Sequence, residues 1–322
     1  MRQILAVVFS VSAIMAAGDA AAQSNYPTKP VRIIVGFPVG SSADFAARLL
    51  GQKLTEALGK PVVVENVAGA AGNIATERVA KAAPDGYTLA STTISQIIIN
   101  PSLYRLPFDP VKDFAPISQV YVSPNILVVH NAVPAKSFRE LLALAKAQPG
   151  GLTFASGGSG SSPHLAGELL KSMARIDIRE VPYKGVVAAL PDLLGGRVTM
   201  MFSPISVALP LVREGKLRAL AVTSLRRSSA VPDLPTIDES GFPGFEVTLW
   251  GGLLTPAGTQ ATIIRRLHLE TVKVLALADV RAKFADLGLE TIGNSPDEFA
   301  AAIKSEIPRW AKVIKESGIK PD

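Results

Sequence analysis

At 322 residues, 48% of them hydrophobic and 19% charged, the chain is long enough for about two domains and apolar enough to bury a core, which excludes extended disorder. Its 33 Lys and Arg against 27 Asp and Glu give a net charge of +6, spread along the chain without basic runs, so a nucleic-acid partner is not expected. Cysteine is absent, which excludes disulfides, thiolate catalysis, cysteine metal ligands and lipid attachment at an N-terminal cysteine.

Residues 1–23, MRQILAVVFSVSAIMAAGDAAAQ, carry Arg2, an apolar stretch from Ile4 to Ala17 and small residues at Ala20 to Ala22, the pattern of a cleaved secretory signal peptide. The apolar stretch is shorter than the roughly 20 residues that span a bilayer. Its removal takes Arg2 and Asp19 and leaves the charge at +6. The mature protein is therefore expected to diffuse freely as a monomer in the periplasm; steering of anions is one reading of its mild positive charge, and a solvated surface is the plainer account.

From Pro30 strand-like and helix-like segments alternate. VRIIVGF (31–37) reads as a strand, 45–59 as a helix with Phe45, Leu49, Leu54 and Leu58 on one face, and PVVVEN (61–66) as a second strand. Further strands are expected at 87–92, 126–130, 152–156, 177–183, 198–203 and 217–224, which predicts mainly parallel sheets with helices on both faces, an α/β fold. Ser137 with Glu140, and Ser295 with Glu298, match capping boxes at helix starts. The strand-like SQVYV is broken by Ser123 and Pro124, and a turn-rich stretch runs from Pro232 to Gly244. These two places divide the mature chain into one lobe of residues 24–122 and 246–322 and a second of residues 123–245, with a cleft between them that suits a small molecule.

The loop FPVGSSAD (37–44) joins a strand to a helix. Pro38 and Gly40 make a tight turn, Ser41 and Ser42 offer hydroxyls, and free N–H groups at the helix start can hold an anionic oxygen; a simple helix cap at Ser41 or Ser42 is the plainer account. ASGGSGSSPHLAGELL (155–170) repeats the design, with Ser162 and Pro163 opening a helix whose face is Leu165, Leu169 and Met173, and with His164 in its first turn as either a structural residue or a donor to a carboxylate. Tyr183 and Lys184 in VPYKG, and Thr92, Thr93 and Ser95 after another strand, are further candidates.

Enzyme signatures fail. Gly157-Gly158-Ser159-Gly160-Ser161 lacks the final glycine of a nucleophile elbow, no phosphate-binding or dinucleotide glycine pattern occurs, and His130, His164 and His268 have no metal-ligand spacing. No cofactor or metal is expected. A secreted hydrolase using Ser161 or His164, and a periplasmic sensor that presents its ligand-bound form to a receptor kinase, remain as alternatives.

The strings VRIIVGFPVGSSADFAARLLGQKL (31–54), PVVVENVAGAAGNIATERVAKAAPDGYTL (61–89), INPSLY (99–104), VPYKGVVAALPDLLGGRV (181–198), GKLRALAVTS (215–224) and LPTIDESG (234–241) resemble the Bug (TctC-like) family, extracytoplasmic solute receptors of tripartite tricarboxylate transporters. The resemblance implies a type II periplasmic-binding-protein fold whose two lobes close over a small carboxylate, a related amide or an aromatic acid, with the carboxylate held by backbone N–H groups, hydroxyls and ordered water rather than an arginine clamp. It implies delivery to the membrane subunits of such a transporter. Carried over by position, it implies ligand contacts at Phe37, Pro38, Gly40, Ser41, Ser42, Asp44, Thr92 and Thr93 from the first lobe, and at Ser156, Gly157, Ser161, His164, Tyr183, Lys184, Gly185 and Ser203 from the second. Asp44 would repel an anion, so its expected role is to orient the loop by accepting N–H bonds at its own helix start. Ser41 stands where relatives carry a second glycine, and Ser203 where many are acidic. Losing that acid removes an acceptor for a ligand ammonium, so a carboxylate without an amino group is expected; tighter binding of an amino acid than of its des-amino analogue would refute this.

Overall fold

The computed structural model describes residues 26–158, 160–183 and 185–317; the leader expected at 1–23 and the candidate Lys184 lie outside the described residues. The chain runs β1 (Val31–Val35), α1 (Ser42–Leu58), β2 (Val62–Asn66), α2 (Asn73–Ala80), β3 (Thr88–Thr93), a π-helical turn (Ser95–Ile99), α3 (Asn100–Leu103) and then a long strand β4 (Phe114–His130). There follow α4 (Phe138–Ala147), β5 (Leu152–Ser156), α5 (Ser162–Ala174), β6 (Ile178–Pro182), α6 (Val186–Leu194), β7 (Met200–Pro204), α7 (Ile205–Arg213) and β8 (Leu217–Val222). The chain then returns through β9 (Thr248–Pro256), α8 (Ala261–Ala276), α9 (Ala278–Asp286), β10 (Glu290–Thr291) and α10 (Pro296–Ser317).

The sheet order is β2-β1-β3-β9-β4-β7-β5-β6, with β8 and β10 also paired to β4. The sheet is mixed, not mainly parallel as the alternation predicts. The strand-helix units make parallel pairs at either side, β1 with β2 and β3, and β5 with β6 and β7. Between them β4 and β9 run antiparallel to every neighbour. A local reading of strand-helix alternation sees the units and not the two strands that join them.

Pro124 does not break β4. Residues up to Pro124 pair with β9, where Pro124 stands opposite Thr248, and from Asn125 onward β4 pairs with β7 and β8. The missing proline N–H therefore falls where the strand changes partners, and no regular ladder loses a donor. The buried Thr223 closes the junction: its hydroxyl meets the N–H of Asn125 at 2.9 Å and donates to the carbonyl of Val247 at 2.6 Å, and Val247 donates back to the carbonyl of Thr223 at 3.0 Å. The two connecting segments are thus stitched to each other between the halves of the sheet.

Hydrophobic spacing explains the layers. Val31, Ile33, Ile34 and Val35 are all buried, as an interior parallel strand covered on both faces requires. On one face β1 meets Leu50 and Leu54 of α1 together with Leu267 of α8 and Phe284 of α9. On the other face a single core runs from Ile34 and Ile98 through Phe154 and Leu170 to Trp250 and Trp310, and so reaches across both halves. Both expected caps form, with Glu140 N–H donating to Ser137 Oγ and Glu298 N–H to Ser295 Oγ, each at 3.2 Å.

Candidate functional site

The two glycine–serine loops are built alike. Ser41 caps α1 by accepting from the N–H of Asp44 at 3.2 Å, and Asp44 Oδ2 reaches back to accept the N–H of Gly40 at 2.9 Å. Ser161 caps α5 by accepting from the N–H of His164 at 3.4 Å, and His164 Nδ1 accepts the N–H of Gly160 at 3.1 Å. Both turns place the residue before the cap at positive φ, +86° at Gly40 and +69° at Gly160, which glycine alone adopts without strain. The third residue of each helix therefore folds its loop back by four positions, and the first helical N–H groups are left unpaired within the helix.

Asp44 holds more than the cap. It is 3% exposed, and its Oδ1 accepts from Asn66 Nδ2 at 2.8 Å and meets Arg48 Nε at 2.9 Å, while Asn66 also donates to the carbonyl of Phe37 at 3.0 Å. Burial pushes its carboxyl up, but the Gly40 N–H, the Arg48 guanidinium and the Asn66 amide outweigh burial and hold it below the ordinary carboxylate range. It is an orienting anion, facing donors of its own protein.

His164 is likewise a support. Because Nδ1 accepts from Gly160, the network places the ring proton on Nε2, 3.5 Å from Glu180 Oε2, while Glu180 Oε1 accepts from the Ser156 hydroxyl at 2.5 Å. One ring nitrogen is held by Gly160 and the other faces Glu180, as does the Ser156 side chain. Tyr183 donates its hydroxyl to Asp192 Oδ2 at 2.7 Å, with Arg197 on the other oxygen of that carboxylate at 2.7 Å. Thr92 is buried with its hydroxyl on the carbonyl of Gly252 at 3.4 Å, the N–H of Thr93 is held by Gln96 Oε1 at 2.9 Å, and Ser203 is fully buried.

Two cavities separate the candidates. One of about 290 Å³ lies where the halves meet, lined by Ile94, Ser95 and Ile99 after β3, by Gly157, Gly160, Ser161, Ser162, Pro163 and Leu165 around the start of α5, by Gly185 and Val186 at the start of α6, by Pro204, and by Val247–Leu249 entering β9. The other, of about 670 Å³, lies outside α1, between Val39, Gly40, Ser41, Ser42, Asp44 and Arg48 and the end of α9 at Lys283, Asp286 and Leu287. The larger cavity is the more open flank of one loop, and the smaller one, walled by elements of both halves, is the candidate site. Gly157, Ser161 and Gly185 line it. Gly40, Ser41, Ser42 and Asp44 line the other, and Phe37, Pro38, Thr92, Thr93, Ser156, His164, Tyr183 and Ser203 line neither. Ser162 and Val186, the first residues of α5 and α6, were not singled out as contacts, although the cap one residue earlier is the signal for them; Thr248 and Leu249 carry no local signal at all.

Residues 46–319 match the model of the tripartite tricarboxylate transporter family receptor, TctC. The chain belongs to this family. Protein BugT of Bordetella pertussis is 37% identical over 322 residues, covering 99% of both chains. Among solved structures, a protein of R. palustris with adipate superposes with a TM-score of 0.72 at 36% identity, covering 92% of this chain and 100% of that one. MatC of Rhodopseudomonas palustris with bound malate gives 0.68 at 34% identity, covering 90% and 100%. The fold is thus that of the periplasmic solute-binding receptors, as the resemblance implies.

The TctC family and these neighbours are binding proteins, and the geometry of the loops gives no support to a hydrolase. Ser161 Oγ donates to the carbonyl of Gly158 at 2.7 Å, and His164 Nδ1 is taken by Gly160 while its Nε2 faces Glu180 at 3.5 Å, so serine and imidazole do not form a nucleophile–base pair. As a helix cap, Ser161 predicts its own test: Ser161→Ala should cost about 1 kcal/mol in urea unfolding, and an unchanged midpoint would mean the cap contributes nothing.

Proposed function

We propose that the mature chain is a periplasmic receptor that captures a small carboxylate and hands it to the membrane subunits of a tripartite tricarboxylate transporter. The observation that carries the reading is the cavity between the halves of the sheet, on which the N-termini of α5 and α6 both open at Ser162 and Val186. Helix N-termini favour anionic oxygens through their free N–H groups and dipoles. Relatives with adipate and malate bound support the same class of ligand. In this reading residues 24–122 and 246–322 form one lobe and 123–245 the other, the leader at 1–23 directs export, and the candidate residues of the first lobe close over the ligand from the α1 side. Among the described residues no helix is long and apolar enough to cross a membrane.

The test is a thermal-shift screen of the mature protein, freed of co-purified ligand, against mono-, di- and tricarboxylates, amino acids and aromatic acids. A carboxylate at 100 times its Kd should stabilise by about 2.7 kcal/mol, a shift of a few degrees. No shift with any carboxylate, while BugT responds on the same plate, would sink the proposal.

A further inference from the structure

The lining of the central cavity sorts by chemistry. Among the described residues none of those that line it is charged. Ser161 and Ser162 line it at the start of α5, close to the backbone of Val186 at the start of α6, while Ile94, Ile99, Pro204, Val247, Leu249 and the Val186 side chain supply hydrocarbon. Gly157 lets the two helix starts approach: a Cβ there would sit 3.3 Å from Val186 Cγ1 and 3.4 Å from both Val186 N and Ser161 Oγ. At α5 the N–H of Ser162 is the donor that can reach a carboxylate oxygen, since Pro163 has none and His164 gives its own to Ser161 Oγ, and the start of α6 lies so close that the two make one place in this cavity, not two separated ones.

We infer that this receptor takes a ligand with a single carboxylate on an apolar body, an aliphatic or aromatic monocarboxylate, in preference to the dicarboxylates. The inference rests on the receptor reading and narrows it. A second carboxylate would leave water for a wall of isoleucine, valine, leucine and proline with no counter-charge among the described lining residues, and the hydroxyls of Ser95 and Thr248 replace hydration only in part. An apolar body would instead gain by covering the same wall. The volume of about 290 Å³ is at the small end for ligand sites, which suits a compact body.

Calorimetric titration of the ligand-free protein with matched pairs isolates the second charge: hexanoate against adipate, and benzoate against benzene-1,4-dicarboxylate. The monocarboxylate of at least one pair should bind ten times or more tighter than its dicarboxylate, and no dicarboxylate, malate included, should be the tightest ligand. A dicarboxylate that binds as tightly or tighter overturns the inference and leaves the receptor reading standing. Failure of every carboxylate to bind removes both. Val186→Ser should weaken the preferred monocarboxylate about tenfold by removing two methyl groups from the wall, with little change in melting temperature because the side chain is only half-buried at a helix start. Unchanged affinity in that variant would show that the body of the ligand lies elsewhere and would overturn the inference.

Discussion

Asp44→Ala is expected to lower stability at pH 7 by about 2–4 kcal/mol, because it strands several donors around a buried anion site. The Gly40 N–H and the Asn66 amide lose their acceptor, and the loop that Asn66 ties through the carbonyl of Phe37 loses its anchor. Arg48 is about half exposed, so its ion pair alone is worth little, and Arg48→Ala should cost under about 1 kcal/mol. The pH dependence has a definite sign. A carboxyl held below its ordinary range stabilises the fold at pH values above its unfolded pKa, and that contribution is lost as pH falls through the folded value. The gap between wild type and Asp44→Ala should therefore be full at pH 7 and close only in strong acid, below about pH 4. Ligand affinity in the variant should fall at least about tenfold, since Gly40 is no longer fixed beside the cap. Equal melting of the two proteins at pH 7 would show that the cap and the loop do not depend on this carboxylate.

Local chemistry made one layer of this site legible and hid another. The two strand-to-helix loops are visible because serine caps, glycine turns and apolar helix faces are short-range patterns, and both loops form with the cap at Ser41 and at Ser161. The orienting role of Asp44 follows from charge alone. What sequence does not show is where a side chain's second partner lies. His164 and Ser156 both meet Glu180, and Tyr183 meets Asp192, so residues that look like ligand donors are engaged with carboxylates brought in by β6 and α6. The hydrocarbon wall at Val247–Leu249 exists only because β9 enters the sheet beside β4, a pairing of residues more than a hundred positions apart. Pro124 is the same lesson in reverse: a local rule marks it as a break, and the change of pairing partners makes it harmless.

Glu306→Gln is expected to stabilise the protein at pH 8, by about 2–3 kcal/mol, although it removes a charged hydrogen bond. Glu306 lies on α10 and accepts from Trp250 Nε1 at 3.1 Å, next to the segment that carries the chain into β9. Burial pushes its carboxyl up to about 7; Trp250 and Arg309 pull it down, and the nearby Glu246, itself raised by burial, adds to the rise. An acid whose folded pKa exceeds its unfolded value binds an extra proton in the fold, so stability declines as pH rises from the unfolded value, about 4.3, to about 7 and is level beyond. Glutamine keeps an acceptor for Trp250 and has no charge to desolvate, so the variant should match wild type near pH 5 and exceed it at pH 8. Glu316→Gln, on the same helix with half its side chain exposed, is the surface control. Denaturant midpoints measured between pH 5 and 8 decide the matter. Parallel curves for wild type and Glu306→Gln would mean that Glu306 titrates as a surface acid. A gap that opens between pH 5 and 7 would place a protonated carboxyl against Trp250, where α10 braces the strand linking the two halves of the sheet.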